Sequence, residues 1–173
     1  RWDGSMEKRS IEPLLFHTWY RELTRFLYAD ELGDKFDAVW SRKPNFMYRT
    51  LVSENQWCDD VKTDPIESCS QQIDAAQNAA LLWLRERYGR DLKSWQWGIA
   101  HNARHTHQAF SKIPILRHFF DIVHPHGGGP FTVMQANTTI ANKEWPFEEN
   151  HGAALRVIFD LADLDGTHVM IST

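Results

Sequence analysis

Three consecutive glycines and a proline, at positions 127–130, divide the sequence into two parts of different character. Such a run favours neither helix nor strand. Apolar residues recur at helical spacing before it, whereas β-branched residues become common after it. Helices followed by strands, without alternation, are typical of an α+β fold. We therefore predict a helical region over residues 1–126 and an antiparallel β-strand region over residues 127–173, which contributes to the core sheet of a larger domain.

Proline and glycine delimit the two longest predicted helices. Pro13 suits a first helical turn, because its missing N–H is not needed there, and Gly33 suits a helix end. Asp64 is a predicted capping residue for the second helix, which Gly89 ends. The predicted helical segments are 12–32, 46–52, 64–88 and 115–120, with a helical turn within 91–98.

The region after the glycines contains three strand-like runs. They cover residues 131–140, 155–161 and 169–171 and are rich in apolar or β-branched side chains. Asp165-Gly166, between the last two runs, is typical of a β-hairpin turn.

Two cysteines, Cys58 and Cys69, flank a short polar loop. In an oxidising compartment they would form a disulfide, and we predict this pairing. Two free thiols remain the alternative at this point.

Charge and hydropathy exclude two classes of partner. The chain carries 19 Lys and Arg against 23 Asp and Glu, so it lacks the basic excess of a nucleic-acid-binding protein. No apolar run approaches the ~18 residues of a membrane span. We predict neither a nucleic-acid partner nor membrane insertion.

Histidines and aspartates offer two candidate metal patterns, and both are incomplete. His101 and His105 are four residues apart, but Asn102 stands where the metalloprotease pattern requires Glu. The segment 160–166 resembles half a calcium loop, but Ser172 stands where the closing Glu is needed. We therefore predict no metal ligand in this chain.

Nucleophile and cofactor patterns are absent from the sequence. No serine lies in a Gly-x-Ser-x-Gly elbow, and neither cysteine has a local catalytic context. The three glycines lack the Lys-Ser/Thr ending of a phosphate-binding loop. We predict no catalytic and no cofactor-binding residue.

Three segments, in this order, resemble the penicillin acylase (penicillin amidase) family of N-terminal nucleophile hydrolases. They are R-W-D-G at 1–4, Y-G followed by W-x-W-G-x-x-H over 88–101, and H-G followed by V-I-F-D-L over 151–161. Ala154 departs from the serine common in the family. The resemblance implies the later part of a β chain, within an αββα sandwich. His151 and Arg156 match family positions and are expected to orient their segment structurally.

The resemblance also implies where the chemistry lies. The family's nucleophile is the first serine of the β chain, whose own α-amine is the base. No residue here corresponds to it, and the structural calcium is expected elsewhere in the enzyme. The chain is then a non-catalytic portion of an amidase acting on acylated small molecules, such as β-lactams or acyl-homoserine lactones. The expected partners are the remaining α and β chain segments and the small-molecule amide substrate.

The chain opens on Arg1, without an initiator Met or signal peptide, and closes on a strand-like run. These ends predict a fragment, and the family implies a periplasmic or secreted enzyme. The alternative function is a His-rich metal-binding or helical scaffold module without enzymatic activity.

Overall fold

A computed structural model describes residues 1–39, 43–53, 56–138, 140–152, 155–166 and 168–171. The helices are α1 (Glu12–Leu32), α2 (Phe36–Val39), α3 (Pro44–Ser53), α4 (Cys69–Tyr88), α5 (Trp97–Ala100) and α6 (Pro114–Phe120). The strands are β1 (Asn102–His105), β2 (Ile122–Pro125), β3 (Ala136–Thr138), β4 (Glu149–Gly152), β5 (Leu155–Ile158) and β6 (His168–Ile171).

The packing of α1 against α4 forms the centre of the apolar core. Leu14, Leu23 and Leu27 of α1 are fully buried and belong to the same apolar cluster as Ala76 and Leu84 of α4. The predicted ends of α1 are confirmed: proline lies in its first turn, and the N–H of the glycine after Leu32 donates to a carbonyl of the last turn.

The start of α4 differs from the prediction. Ser68 is the capping residue, because its hydroxyl accepts from the Gln71 N–H while the Gln71 side chain accepts from the Ser68 N–H. The Asp64 prediction is therefore wrong. Glu67, three residues after Asp64, instead accepts hydrogen bonds from the backbone N–H of Asp60 and from the hydroxyl of Thr63, and so closes a loop.

A disulfide joins Cys58 to Cys69, with 4.8 Å between their Cα atoms. Both cysteines are buried in the core. The predicted pairing is confirmed, and the free-thiol alternative is excluded. The enclosed loop, residues 58–69, is also held to α1, because the Val61 N–H donates to Asp30 Oδ2 at 2.9 Å.

A four-stranded sheet has the order β2-β1-β4-β3. β1 pairs antiparallel with β2 and parallel with β4, so the sheet is mixed. β5 and β6 form a separate antiparallel pair, but the predicted strand 155–161 contracts to β5, so residues 159–167, rather than Asp165-Gly166 alone, connect the two strands. The α+β class is confirmed, but residues 1–126 are not purely helical, since β1 and β2 lie there. Strands of only four residues carry little local signal and form because a neighbouring strand pairs with them.

The first predicted strand, 131–140, contracts to β3, because residues 131–134 form a turn. The Thr132 hydroxyl stabilises this turn by donating to the carbonyls of Gly129 and Met134.

That the two predicted regions, 1–126 and 127–173, belong to one larger domain stays a prediction. None of the described helices has both the length and the apolar composition needed to cross a membrane.

Removing the disulfide should destabilise the protein by about 3 kcal/mol, because a crosslink between residues 11 apart restricts the unfolded chain. We predict this loss for Cys58→Ala/Cys69→Ala, measured by denaturant unfolding. The wild type unfolded in reductant is the matched control and should show the same loss. Equal stability of the oxidised wild type and the double variant would contradict the prediction.

Glu31, at the end of α1, should make stability depend on pH. Burial, together with a hydrogen bond that the protonated Glu31 donates to the Asp30 carboxylate, raises the pKa of Glu31 from 4.5 to about 7. The folded state then binds more protons than the unfolded state within that window, so stability should fall as pH rises from 4.5 to about 7. The thermal midpoint of Glu31→Gln should lose this slope, whereas Glu12→Gln on the same helix should keep it. An unchanged slope in Glu31→Gln would refute the assignment.

Candidate functional site

Two tryptophans of the segment 95–101 anchor it in the core. Trp95 donates its indole N–H to the Gly89 carbonyl at 2.9 Å, and Trp97 donates to the Gly128 carbonyl at 2.8 Å. Trp97 is fully buried, so its N–H requires this partner. The bond ties α5 to the glycine-rich connector, residues 127–130.

Gly98 lies where the N-terminal segment crosses the start of α5. Its N–H donates to the Lys8 carbonyl at 2.7 Å. A Cβ at this position would lie 2.8 Å from Lys8 Cβ and 3.1 Å from Pro125 Cβ. The close approach therefore requires glycine.

The Trp97 ring lies between two imidazoles. His17 of α1 stacks on one side with 5.0 Å between ring centroids, and His101 stacks at 4.6 Å. His101 is fully buried, and its Nδ1 lies 2.8 Å from the Phe147 carbonyl oxygen. Because a carbonyl only accepts, Nδ1 carries the proton, and the neutral ring presents a lone pair at Nε2.

Sheet pairing brings two further polar side chains to His101. The register of β1 and β2 places His126 opposite His101, and the His126 N–H donates to the His101 carbonyl at 2.9 Å. Glu149, at the start of β4, pairs with Ala103, two residues after His101. Residues two apart share a face of a strand, so the three side chains converge.

We call His101, His126 and Glu149 the His–His–Glu cluster. One potential ligand atom from each residue lies within 4.8 Å of the other two. His126 Nδ1 is 3.4 Å from Glu149 Oε2, and these side chains are 25% and 12% exposed. A buried imidazole beside a half-buried imidazole and a carboxylate can bind a metal ion or form an internal ion pair.

The surroundings leave space for the Glu149 carboxylate. A Cβ at Gly152 would overlap Glu149 Oε1, so glycine at this position admits the side chain. Arg104 is paired with Glu148 and lies over the Trp145 ring at 5.1 Å. An open depression of about 360 Å³ adjoins the cluster; it is lined by Ala141, Asn142, Trp145, Glu148, Glu149 and Asn150.

A family model described as penicillin amidase matches residues 1–173, the whole chain. This chain belongs to the penicillin amidase family. A curated relative, the acyl-homoserine lactone acylase QuiP of Pseudomonas aeruginosa, is 24% identical over 123 residues, an alignment that covers 66% of this chain and 14% of the relative. The chain thus spans about a seventh of that relative's length.

The family assignment agrees with the resemblance of the three motifs, and the structure explains two of them. In this penicillin amidase chain, the opening W-D-G forms a turn: the Ser5 N–H donates to Asp3 Oδ1 and the Trp2 indole donates to the Ser5 carbonyl. Gly4 has a φ of 88°, which glycine adopts most easily. The first motif thus forms a local turn, and the two tryptophans of W-x-W-G-x-x-H pack in the core.

The structure separates the histidines that the sequence grouped. His105 ends β1 and is exposed, so it does not share the environment of His101. His151 is exposed on β4 and pairs with Asn137 across the sheet. Ala154 lies outside the described residues, and so does the side chain of Arg156.

The convergence of His126 and Glu149 on His101 was missed by sequence reasoning. The three residues are far apart in the sequence, so their spacing follows no motif. Only a correct prediction of β1, β2 and β4 and of their pairing would have brought them together. The expected absence of catalytic, cofactor-binding and metal-ligating residues stays a prediction.

Gly98→Ala should destabilise the protein by about 1–3 kcal/mol, because the added methyl group overpacks the contact with Lys8. Ile99→Ala is a control at the adjacent, exposed position and should change stability by less than about 0.5 kcal/mol. Denaturant unfolding measures both. Equal effects of the two substitutions would argue against a close backbone crossing.

Proposed function

We propose that this chain is a non-catalytic portion of an acylase-like amidase and supplies packing helices and strands rather than the nucleophile. The observation that carries the proposal is the family match over all 173 residues. The packing roles of the two motifs that include Trp2 and Trp97 support it, since both indoles bind backbone carbonyls.

The hydrogen bonds of the serine hydroxyls support a nucleophile in another part of the enzyme. A nucleophilic serine needs a base oriented at its hydroxyl. Ser53 donates to the Arg49 carbonyl and Ser94 donates to the Tyr88 carbonyl, so neither hydroxyl is oriented towards a base. These contacts stabilise local turns. The catalytic serine and the structural calcium would then belong to segments outside this chain.

The proposed substrates are small molecules with an acylated amine, and acyl-homoserine lactones come first because the relative QuiP is named as an acylase of these compounds. β-Lactams are the second substrate class, from the family name. In either case the whole enzyme would hydrolyse a C–N amide bond and release a carboxylic acid and an amine.

Exposed apolar side chains support the proposal that other segments of the enzyme cover this chain. Phe159, Leu161 and Leu164, between β5 and β6, are 69%, 85% and 73% exposed. An apolar patch of this kind marks a contact surface. We propose that the remaining α and β chain segments cover it in an αββα sandwich. The disulfide supports an oxidising compartment, which is consistent with a periplasmic or secreted enzyme.

Comparing the isolated chain with the whole protein tests the proposal. We predict that the whole protein releases amine from acyl-homoserine lactones and chromophore from a phenylacetyl amide, whereas the isolated chain releases neither above the buffer rate. A whole protein in which the first serine of the β chain is replaced by Ala is the matched control and should be inactive.

Two outcomes contradict this prediction. In the first, the isolated chain shows turnover that scales with its concentration and copurifies with it. That result would place the nucleophile in this chain. An inactive whole protein that is correctly processed and folded would favour the scaffold alternative.

A further inference from the structure

We propose that the His–His–Glu cluster binds one divalent transition-metal ion, with zinc as the best match, through His101 Nε2, His126 Nδ1 and one carboxylate oxygen of Glu149. The inference does not depend on the proposed amidase function. It rests on the geometry, burial and chemistry of these three side chains.

His101 has the arrangement of a metal-ligating histidine. Its Nδ1–H donates to the Phe147 carbonyl at 2.8 Å, which orients the ring and leaves the lone pair on Nε2. Histidine ligands commonly donate their second N–H in this way, and the bond raises the basicity of the ligating nitrogen. Stacking on Trp97, with 4.6 Å between ring centroids, holds one face of the ring.

The distances between the ligand atoms are close to those found around a coordinated ion. Zn–N and Zn–O bonds of about 2.0–2.1 Å in a tetrahedron place two ligand atoms about 3.4 Å apart. His126 Nδ1 and Glu149 Oε2 are 3.4 Å apart. All three ligand atoms lie within 4.8 Å of one another, so a side-chain movement of about 1 Å completes the triangle.

Two of the ligand atoms are buried without a hydrogen bond. Among the described residues, neither His126 Nδ1 nor Glu149 Oε2 has a hydrogen-bond partner, although water does not reach either atom. The two atoms face each other at the 3.4 Å distance of an ion pair but without hydrogen-bond geometry, whereas buried polar atoms are normally hydrogen-bonded. A metal ion between them would satisfy both atoms at once.

The backbone around the cluster is held in place. β1 lies between β2 and β4, and the three ligands come from the ends of these adjacent strands. The ion would crosslink the three strands, which is a structural role. Gly152 leaves the space that the carboxylate occupies.

The donor set distinguishes zinc from calcium. Calcium takes six to eight oxygen ligands, whereas two imidazoles and one carboxylate suit zinc and its transition-metal neighbours. Three protein ligands leave a fourth position, which water would occupy. The site is therefore distinct from the calcium expected elsewhere in the enzyme.

The whole protein is the material for the test. After treatment with a zinc-selective chelator it is titrated with zinc, and bound zinc is measured by elemental analysis after gel filtration. Wild type should retain zinc at this site, and His126→Gln and Glu149→Gln should each weaken its affinity about 100-fold or more, since loss of an outer-shell partner alone costs about 10–100-fold. Loading with cobalt(II) should give the visible absorption of a tetrahedral ion in wild type but in neither His126→Gln nor Glu149→Gln.

His124→Gln is the matched control, because His124 is an exposed histidine on β2, two residues before His126. It should bind zinc as wild type does. Circular dichroism and thermal unfolding identify any variant that fails to fold, and Gly152→Ala, which displaces Glu149 without removing a ligand, provides an independent decrease in affinity. Equal zinc retention in wild type, His126→Gln and Glu149→Gln would overturn the site, and so would no retention in wild type.

Discussion

The burial of the Trp97 indole is the interaction on which the rest of this structure depends. Its ring is stacked between His17 of α1 and His101 before β1, and its N–H binds the Gly128 carbonyl. One side chain therefore joins the long helix, the start of the inner strand β1 and the glycine-rich connector. A fully buried indole N–H without an acceptor would cost about 1–3 kcal/mol, so the connector must follow the path that supplies its carbonyl.

The same burial determines the chemistry of the His–His–Glu cluster. His101 lies against the Trp97 face and donates to the Phe147 carbonyl, so its ring can neither rotate nor exchange its protonated nitrogen without losing a contact. His126 and Glu149 then meet a fixed lone pair rather than a mobile side chain. Preorganisation of this kind is what separates a metal site from a chance group of polar residues.

Local signals in the sequence predicted the helices well. Pro13 and Gly33 marked α1, Gly89 marked the end of α4, and Cys58 and Cys69 were correctly paired, because each feature depends on residues close in the chain. The start of α4 was missed because Asp64-Pro65 and the capping box at Ser68 are competing signals a few residues apart. The strands β1 and β2 were missed because segments of only four residues are too short to show a periodicity of their own.

By itself, the sequence determined the α+β class, the long helices, the disulfide and the family. These features depend on local backbone preferences and on the order of motifs in the sequence. Only the tertiary structure decided which polar residues meet. His101 directly precedes β1, His126 directly follows β2 and Glu149 begins β4, and the register of those strands sets their distances. Register results from pairing and packing across the whole sheet, and a shift of one residue would turn these side chains to the opposite face.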